Sequence, residues 1–246
     1  MNRRTKSIGD AVILMAGSGS RLAGSDPLLP KPLIPIGGQP LISYALNAFA
    51  KIGVRTIHAI LGANSDALLK GLTSLMPPGM QLHPIFNPAW HKQNGISLLS
   101  AAGKVHAPFF LAMGDHLFDG SILETLVTQA DPDRLNLAVD KKIDSIFDRD
   151  DAMKVQTDGD RVVGIGKDLR NYDAIDTGLF VCPDEIFDYL RRAKRNDDCS
   201  LADGVRLMAT DDKVLAIDIG DAWWQDVDTP QMLQHAEQKM TARHAS

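Results

Sequence analysis

Ala11-Val12-Ile13-Leu14-Met15-Ala16 is a continuous apolar run, and it stops at Gly17-Ser18-Gly19-Ser20-Arg21-Leu22. A run of this length closed by glycine reads as a strand buried on both faces, as at the centre of a parallel sheet. The segment leaving it then sits at the carboxyl edge of that sheet, where open α/β folds bind ligands. Glycines there let backbone approach a ligand closely and leave N–H donors for an anion. Arg21 can grip two phosphate oxygens at once, and Lys31, in Pro30-Lys31-Pro32-Leu33, can act as a point charge. The segment matches neither standard glycine-rich phosphate motif. Leu22 stands where the dinucleotide fingerprint needs a third glycine, and no G-x-x-x-x-G-K-[ST] loop follows the strand. Taken alone, the segment is equally a tight turn carrying a solvated Arg and Lys.

Working outward, helical spacing of Leu41, Ala45, Leu46, Ala48, Phe49 and Ile52 before Gly53 predicts a helix. Residues 56–61 read as a second strand, about 66–75 as a helix, and 80–86 as a third strand. A short helix is expected over 96–103, a strongly apolar strand over 108–113 ending in Gly114-Asp115-His116, and a helix over 121–130. This order predicts an α/β fold, a Rossmann-like mixed and mostly parallel sheet flanked by helices. Later strands are shorter: 135–139, 153–157, 161–165 and 179–182, with Thr157-Asp158-Gly159-Asp160 as a hairpin turn. Helices over 183–194 and 201–209, a strand over 214–219 and a closing helix over 230–243 complete the reading. No repeat, low-complexity tract or linker interrupts the chain, so residues 1–246 are expected to form one domain.

Composition narrows the function classes. With 44% hydrophobic and 23% charged residues, the chain is an ordinary globular sequence able to bury a sizeable core. Its net charge of −5 argues against a general nucleic-acid binder. Two cysteines without a C-x-x-C argue against a disulfide framework or a cysteine zinc site and fit a reducing compartment. No apolar stretch reaches 18 residues, and the run after the basic start is too short for a signal-peptide core. A cytoplasmic protein that does not span a membrane is expected.

Carboxylates supply a second set of candidates. Asp115 ends an apolar strand, so its side chain belongs at the ligand edge. Asp226 and Asp228 lie in Trp223-Trp224-Gln225-Asp226-Val227-Asp228-Thr229-Pro230, and alternation puts both on one side of the chain. Mg²⁺ takes one or two carboxylates together with phosphate oxygens. The plainer alternative makes Asp115 a turn residue and Asp228 a helix start before Pro230.

The composite G-x-G-[ST]-R-[LM], a spacer from Ala23 to Leu29, then P-K-P-L, resembles the signature of the nucleoside-triphosphate transferases. These are the sugar-phosphate and alcohol-phosphate nucleotidyltransferases. The resemblance implies a GT-A-like nucleotide-binding sheet, attack of an acceptor phosphate on an α-phosphate, and release of pyrophosphate. It puts Ala16, Gly17, Ser18, Gly19 and Arg21 at the triphosphate and Lys31 at the α-phosphate. It puts Mg²⁺ on Asp115 and Asp228, with Asp226 as a further metal candidate. A series of marks extends it: Asn94-Gly95-Ile96-Ser97, Met113-Gly114-Asp115-His116, Ala138-Val139-Asp140-Lys141-Lys142, Ile165-Gly166-Lys167, Ile175-Asp176-Thr177-Gly178 and Trp224 to Pro230. In order and over nearly the whole chain, these resemble the cytidylyltransferases that activate inositol 1-phosphate.

That likeness implies CTP and a small phosphorylated alcohol as substrates, with a nucleotide-binding part over about 8–130 and an acceptor-binding part over about 131–229. It puts Gly62, Asn64, Asn94, Gly95 and Ser97 at the nucleotide and Lys167 at the acceptor phosphate. Asp140, Lys141, Asp176 and Thr177 are expected around the acceptor, a polar set suited to a polyol phosphate. His116 reads as a structural histidine capping its loop. Phosphocholine, an aminophosphonate or a sugar 1-phosphate with UTP remain alternative acceptors. A glycosyltransferase of the same fold and a silent nucleotide-sensing subunit are the alternatives of other classes.

Overall fold

In the computed structural model, which describes residues 8–17, 29–62 and 65–244, the opening apolar run is β1 (Asp10–Met15). It is followed by β2 (Pro35–Ile36), β3 (Gln39–Pro40), α1 (Leu41–Lys51), β4 (Thr56–Leu61), α2 (Ser65–Leu75), β5 (Gln81–Phe86) and α3 (Asn94–Leu99). Next come β6 (Phe109–Met113), β7 (His116–Phe118), α4 (Gly120–Gln129), β8 (Leu135–Asp140), β9 (Lys154–Asp158), β10 (Arg161–Gly166) and β11 (Ala174–Cys182). The chain ends through α5 (Ile186–Ala193), α6 (Leu201–Thr210), β12 (Val214–Asp218), β13 (Trp224–Asp226) and α7 (Pro230–His244).

Nine strands form one sheet in the order β5-β4-β1-β6-β11-β8-β12-β10-β9. The half around β1 is parallel: β1 pairs with β4 and β6, and β4 with β5. Beyond β6 the sheet is mixed, with β11 antiparallel to β6 and β8, and β12 parallel to β8. The fold is therefore α/β, a mixed sheet with flanking helices.

Alternation along β1 explains its uniform apolarity. Val12, Leu14 and Ala16 enter one layer, with Leu98 of α3, Ile186 of α5 and Val205 of α6. Ala11, Ile13 and Met15 enter the opposite layer, with Leu46 of α1, Leu72 of α2 and Leu126 of α4. Each fully buried Leu or Ile contributes about 1.5–3 kcal/mol, so these two layers hold the strand at the centre. Among the described residues, no helix is long and apolar enough to cross a membrane.

Three local departures matter for the site. α3 covers Asn94–Leu99 rather than 96–103, because the chain after it closes into turns and passes Gly103 at φ +73°. β11 is nine residues long, starting at Ala174. Its apolar run is interrupted at Asp176 and Gly178, where its register against β8 shifts and Gly178 takes φ +75°. The pairing of β7 with β13 sets Asp226 opposite His116. That small ribbon carries the end of the chain back to the carboxyl edge of β1 and β6.

Candidate active site

At the end of β6 the backbone passes so close to β1 that only glycine fits. A Cβ on Gly114 would lie 2.2 Å from Met15 Cγ, and the Gly114 N–H donates to the Leu14 carbonyl at 3.0 Å. This turn puts Asp115 beside Ala16 and Gly17, at the sheet's carboxyl edge. The Val227 N–H donates to the Asp115 carbonyl at 3.0 Å, which brings Asp228 to the same place. Lys31, at the start of a single 3-10 turn over Lys31–Leu33, completes the cluster. Its ammonium donates to Asp115 Oδ2 at 2.6 Å and to Asp228 Oδ1. Residues separated by 84 and 197 positions thus meet at one buried cation.

Electrostatics follow from that contact. Burial works against the Lys31 charge, but the Asp115 and Asp228 carboxylates outweigh it and lift the ammonium pKa above its usual value. Burial likewise opposes ionisation of Asp115, yet Lys31 and His116 hold its carboxyl well below the usual range. Among the described residues, no cation bonds to Asp226. Burial pushes its pKa up, and the nearby Asp228 and Asp115 charges add to the rise. Burial also opposes the His116 charge, but its bond to Asp115 and the charges of Asp115 and Asp226 raise its pKa overall. An acidic centre held together by one lysine is a place where a cation belongs.

The donor set fits a divalent metal of the kind the sequence resemblance implies. Asp115 and Asp228 offer two carboxylates aimed at one point, now filled by the Lys31 ammonium. Among the described residues, no group of three or more His, Cys, Asp or Glu forms a cage by itself. Two carboxylates completed by phosphate oxygens is the usual arrangement for Mg²⁺.

Next to this centre lies a cleft of about 270 Å³, whose lining includes Asp115, His116, Asp226, Asp228, Lys167, Asp151 and Asp176. Lys167 is half-exposed and its ammonium donates to Asp151 Oδ1. Asp176 Oδ1 accepts from the Gly178 N–H at 2.7 Å, and burial pushes its carboxyl up to about 6. Asn94 borders the same cleft, with its side-chain oxygen accepting from the Leu201 N–H at the start of α6. α6 is fixed there by a capping box between Ser200 and Asp203.

Lys31, Asp115, Asp226, Asp228, Lys167, Asp176 and Asn94 therefore come together. Ala16 and Gly17 lie at the end of β1, the first buried and the second exposed. Gly62 leaves room for Trp90: a Cβ there would lie 2.4 Å from both the Ala16 carbonyl oxygen and Trp90 Cβ. Ser18, Gly19, Arg21 and Asn64 lie outside the described residues.

Other expected residues are engaged in contacts within the protein. Thr177 is fully buried and donates to the Ala138 carbonyl, because neighbours along a strand face opposite ways and Asp176 takes the cleft side. Asp140 is turned away and buried. Its carboxylate accepts from Trp224 Nε1 at 3.0 Å and from the Lys142 N–H at 2.7 Å, so it braces Trp224. Lys141 is exposed and does not border the cleft. Ser97 is buried and accepts from the Asn87 side chain at 3.0 Å. Gly95 serves packing, since a Cβ would meet the Cys199 carbonyl oxygen at 2.6 Å. Sequence reasoning missed Asp151, the partner of Lys167, because Asp148-Arg149-Asp150-Asp151 reads as a solvated charge run.

Residues 11–146 match the family model described as the MobA-like NTP transferase domain. Across longer spans, the chain is 28% identical over 230 residues to the bifunctional IPC transferase and DIPP synthase of Aquifex aeolicus, covering 92% of this chain and 50% of that one. It is 31% identical over 238 residues to the protein of the same description from Rubrobacter xylanophilus, covering 96% and 53%. The chain spans about half the length of these curated relatives. Among solved structures, the inositol-1-phosphate CTP transferase from T. maritima aligns with a TM-score of 0.84 at 26% identity, covering 96% of this chain and 97% of that one. A UDP-glucose pyrophosphorylase from Acinetobacter baumannii shares the fold, with a TM-score of 0.77 at 16% identity over 96% and 94% of the two chains.

Proposed function

Because the chain belongs to the family of MobA-like NTP transferase domains, and so to the nucleotidyltransferases, we propose that it is a cytidylyltransferase acting on CTP and inositol 1-phosphate. The products are CDP-inositol and pyrophosphate. The observation that carries the reading is the convergence of Asp115 and Asp228 on Lys31 at the carboxyl edge of the sheet. Likeness to the inositol-1-phosphate CTP transferase over nearly the whole chain supports the choice of nucleotide and acceptor.

In this reading an oxygen of the acceptor phosphate forms a bond to the α-phosphorus of CTP. The bond from that phosphorus to the bridging oxygen breaks, and pyrophosphate leaves with the electron pair. The acceptor is already an anion, so the protein's task is positioning and charge neutralisation rather than proton removal. Mg²⁺ held by Asp115 and Asp228 would supply neutralisation of phosphate charge. Lys31, displaced from the two carboxylates, turns to the α-phosphate. Ala16, Gly17, Ser18, Gly19 and Arg21 hold the remaining phosphates. Lys167 exchanges Asp151 for the acceptor phosphate. Asp176 and Asp226 accept hydrogen bonds from the hydroxyls of the polyol.

The carboxylates bordering the cleft favour a polyol over a quaternary ammonium head. A choline group is held by a cage of aromatic faces, whereas among the described residues Trp224 and Phe180 are the Trp, Tyr or Phe side chains on the cleft. A screen of CTP, UTP, ATP and GTP against phosphorylated alcohols, read as pyrophosphate release, tests the proposal. CTP with inositol 1-phosphate is expected to give the highest kcat/KM. Preference for UTP with a sugar 1-phosphate, or for CTP with phosphocholine, overturns the substrate. Transfer of a sugar without pyrophosphate release overturns the reaction class.

A further inference from the structure

Asp115 divides its two oxygens between different partners. Oδ2 meets Lys31 at 2.6 Å, while Oδ1 lies 2.8 Å from Nδ1 of His116. The His116 ring is itself confined on several sides. One face stacks on Trp224, with centroids 5.8 Å apart and planes 17° from parallel. Trp224 is pinned through its Nε1–H to Asp140, whose Oδ1 lies 2.9 Å from Lys142 Nζ. At the ring's far edge stands Gly178, where a Cβ would lie 2.8 Å from both Cδ2 and Nε2 of His116. A glycine at φ +75° inside a strand is costly, and here it clears the space that the imidazole occupies.

We propose that His116 is a positioning residue that, clamped between Trp224 and Gly178, donates from Nδ1 to Asp115 Oδ1 and so presents Asp115 Oδ2 to the cation shared with Asp228. Without that donor the Asp115 side chain is free to rotate about its last bond, and the two carboxylates no longer aim at one point. Groups of this kind, one bond removed from a metal, typically change metal affinity about 10–100-fold when removed. The inference rests on reading Asp115 and Asp228 as the cation-binding pair.

Its test is direct binding of Mn²⁺ in the presence of CTP without acceptor, followed by electron paramagnetic resonance. His116→Leu, which keeps bulk and loses the donor, is expected to weaken Mn²⁺ binding about 10-fold or more. His116→Asn places an amide donor near the Nδ1 position and is expected to restore most of the affinity. Gly178→Ala, which keeps His116 and crowds its ring, is expected to weaken binding like His116→Leu. It also supplies an independent variant should His116→Leu fail to fold. Equal Mn²⁺ affinity in wild type, His116→Leu and Gly178→Ala overturns the proposal alone, as does an Asn variant no better than the Leu variant. A wild-type protein that binds no Mn²⁺ with CTP overturns it together with the cation-binding pair.

Discussion

Replacing Asp176 by Asn should stabilise the protein and impair its use of the acceptor. The carboxyl is partly buried at the cleft, and this burial lifts its pKa from 3.8 to about 6. At about 1.4 kcal/mol per factor of ten, keeping it ionised in the folded protein at pH 7 costs about 3 kcal/mol. Because the folded-state value is raised, the stability linked to this group is full below pH 3.8 and is lost as pH rises through 6. The amide of the Asp176→Asn variant would carry no charge and would still offer an oxygen to the Gly178 N–H, which the Asp176 carboxylate accepts from at 2.7 Å. Urea denaturation at a series of pH values measures the difference. The Asn variant should be more stable by up to about 3 kcal/mol at pH 7–8, with the gain fading toward pH 4. Its KM for inositol 1-phosphate should rise by about 10-fold, because an amide is a weaker acceptor for hydroxyls than a carboxylate. A pH-independent stability difference, or a less stable variant at pH 8, would refute the reasoning.

Lys31→Ala should lower kcat by about 10²–10³-fold, as removal of one charge-stabilising donor does, with melting monitored to confirm folding. If Lys167 holds the acceptor phosphate as proposed, Lys167→Ala should raise KM for the acceptor about tenfold and leave KM for CTP unchanged, since it borders the cleft and a charged hydrogen bond contributes about 1.5–3 kcal/mol. His58 gives a second pH effect. It is buried, with no partner for Nδ1 among the described residues, and burial lowers its pKa below 6.5 despite the bond to Asp10. The linked stability is therefore present above pH 6.5 and lost as pH falls below it, a slope that His58→Gln should flatten in pH-dependent melting.

Much of this architecture was legible in the chain, for identifiable reasons. The run Ala11 to Ala16 had to be central because every residue in it is apolar, and its two alternating sets do enter opposite core layers. Asp115 could be put at the ligand edge because it stands one glycine beyond an apolar strand. Contacts across long separations were beyond pattern reading: nothing local to Lys31 announces carboxylates 84 and 197 positions away, and only the family resemblance joined them. The ribbon of β7 and β13 has three residues in each strand, too few for alternation to register. Asp176 and Thr177 looked equivalent because both are polar, whereas the strand sends one to the cleft and the other into the core. The contacts of Asp140 were hidden for a similar reason. Its polarity serves Trp224, and a buried carboxylate that braces an indole looks the same in sequence as one that meets a ligand.

The central claim is that the centre of Lys31, Asp115 and Asp228 joins a cytidylyl group to a polyol phosphate. It is tested most directly by ³¹P NMR of the purified protein with CTP, inositol 1-phosphate and Mg²⁺. The account predicts a pyrophosphate diester and free pyrophosphate appearing in equal amounts, at a rate lost on adding EDTA and in Asp228→Asn. Orthophosphate in place of pyrophosphate, or product formation undiminished in EDTA or in Asp228→Asn, would contradict it.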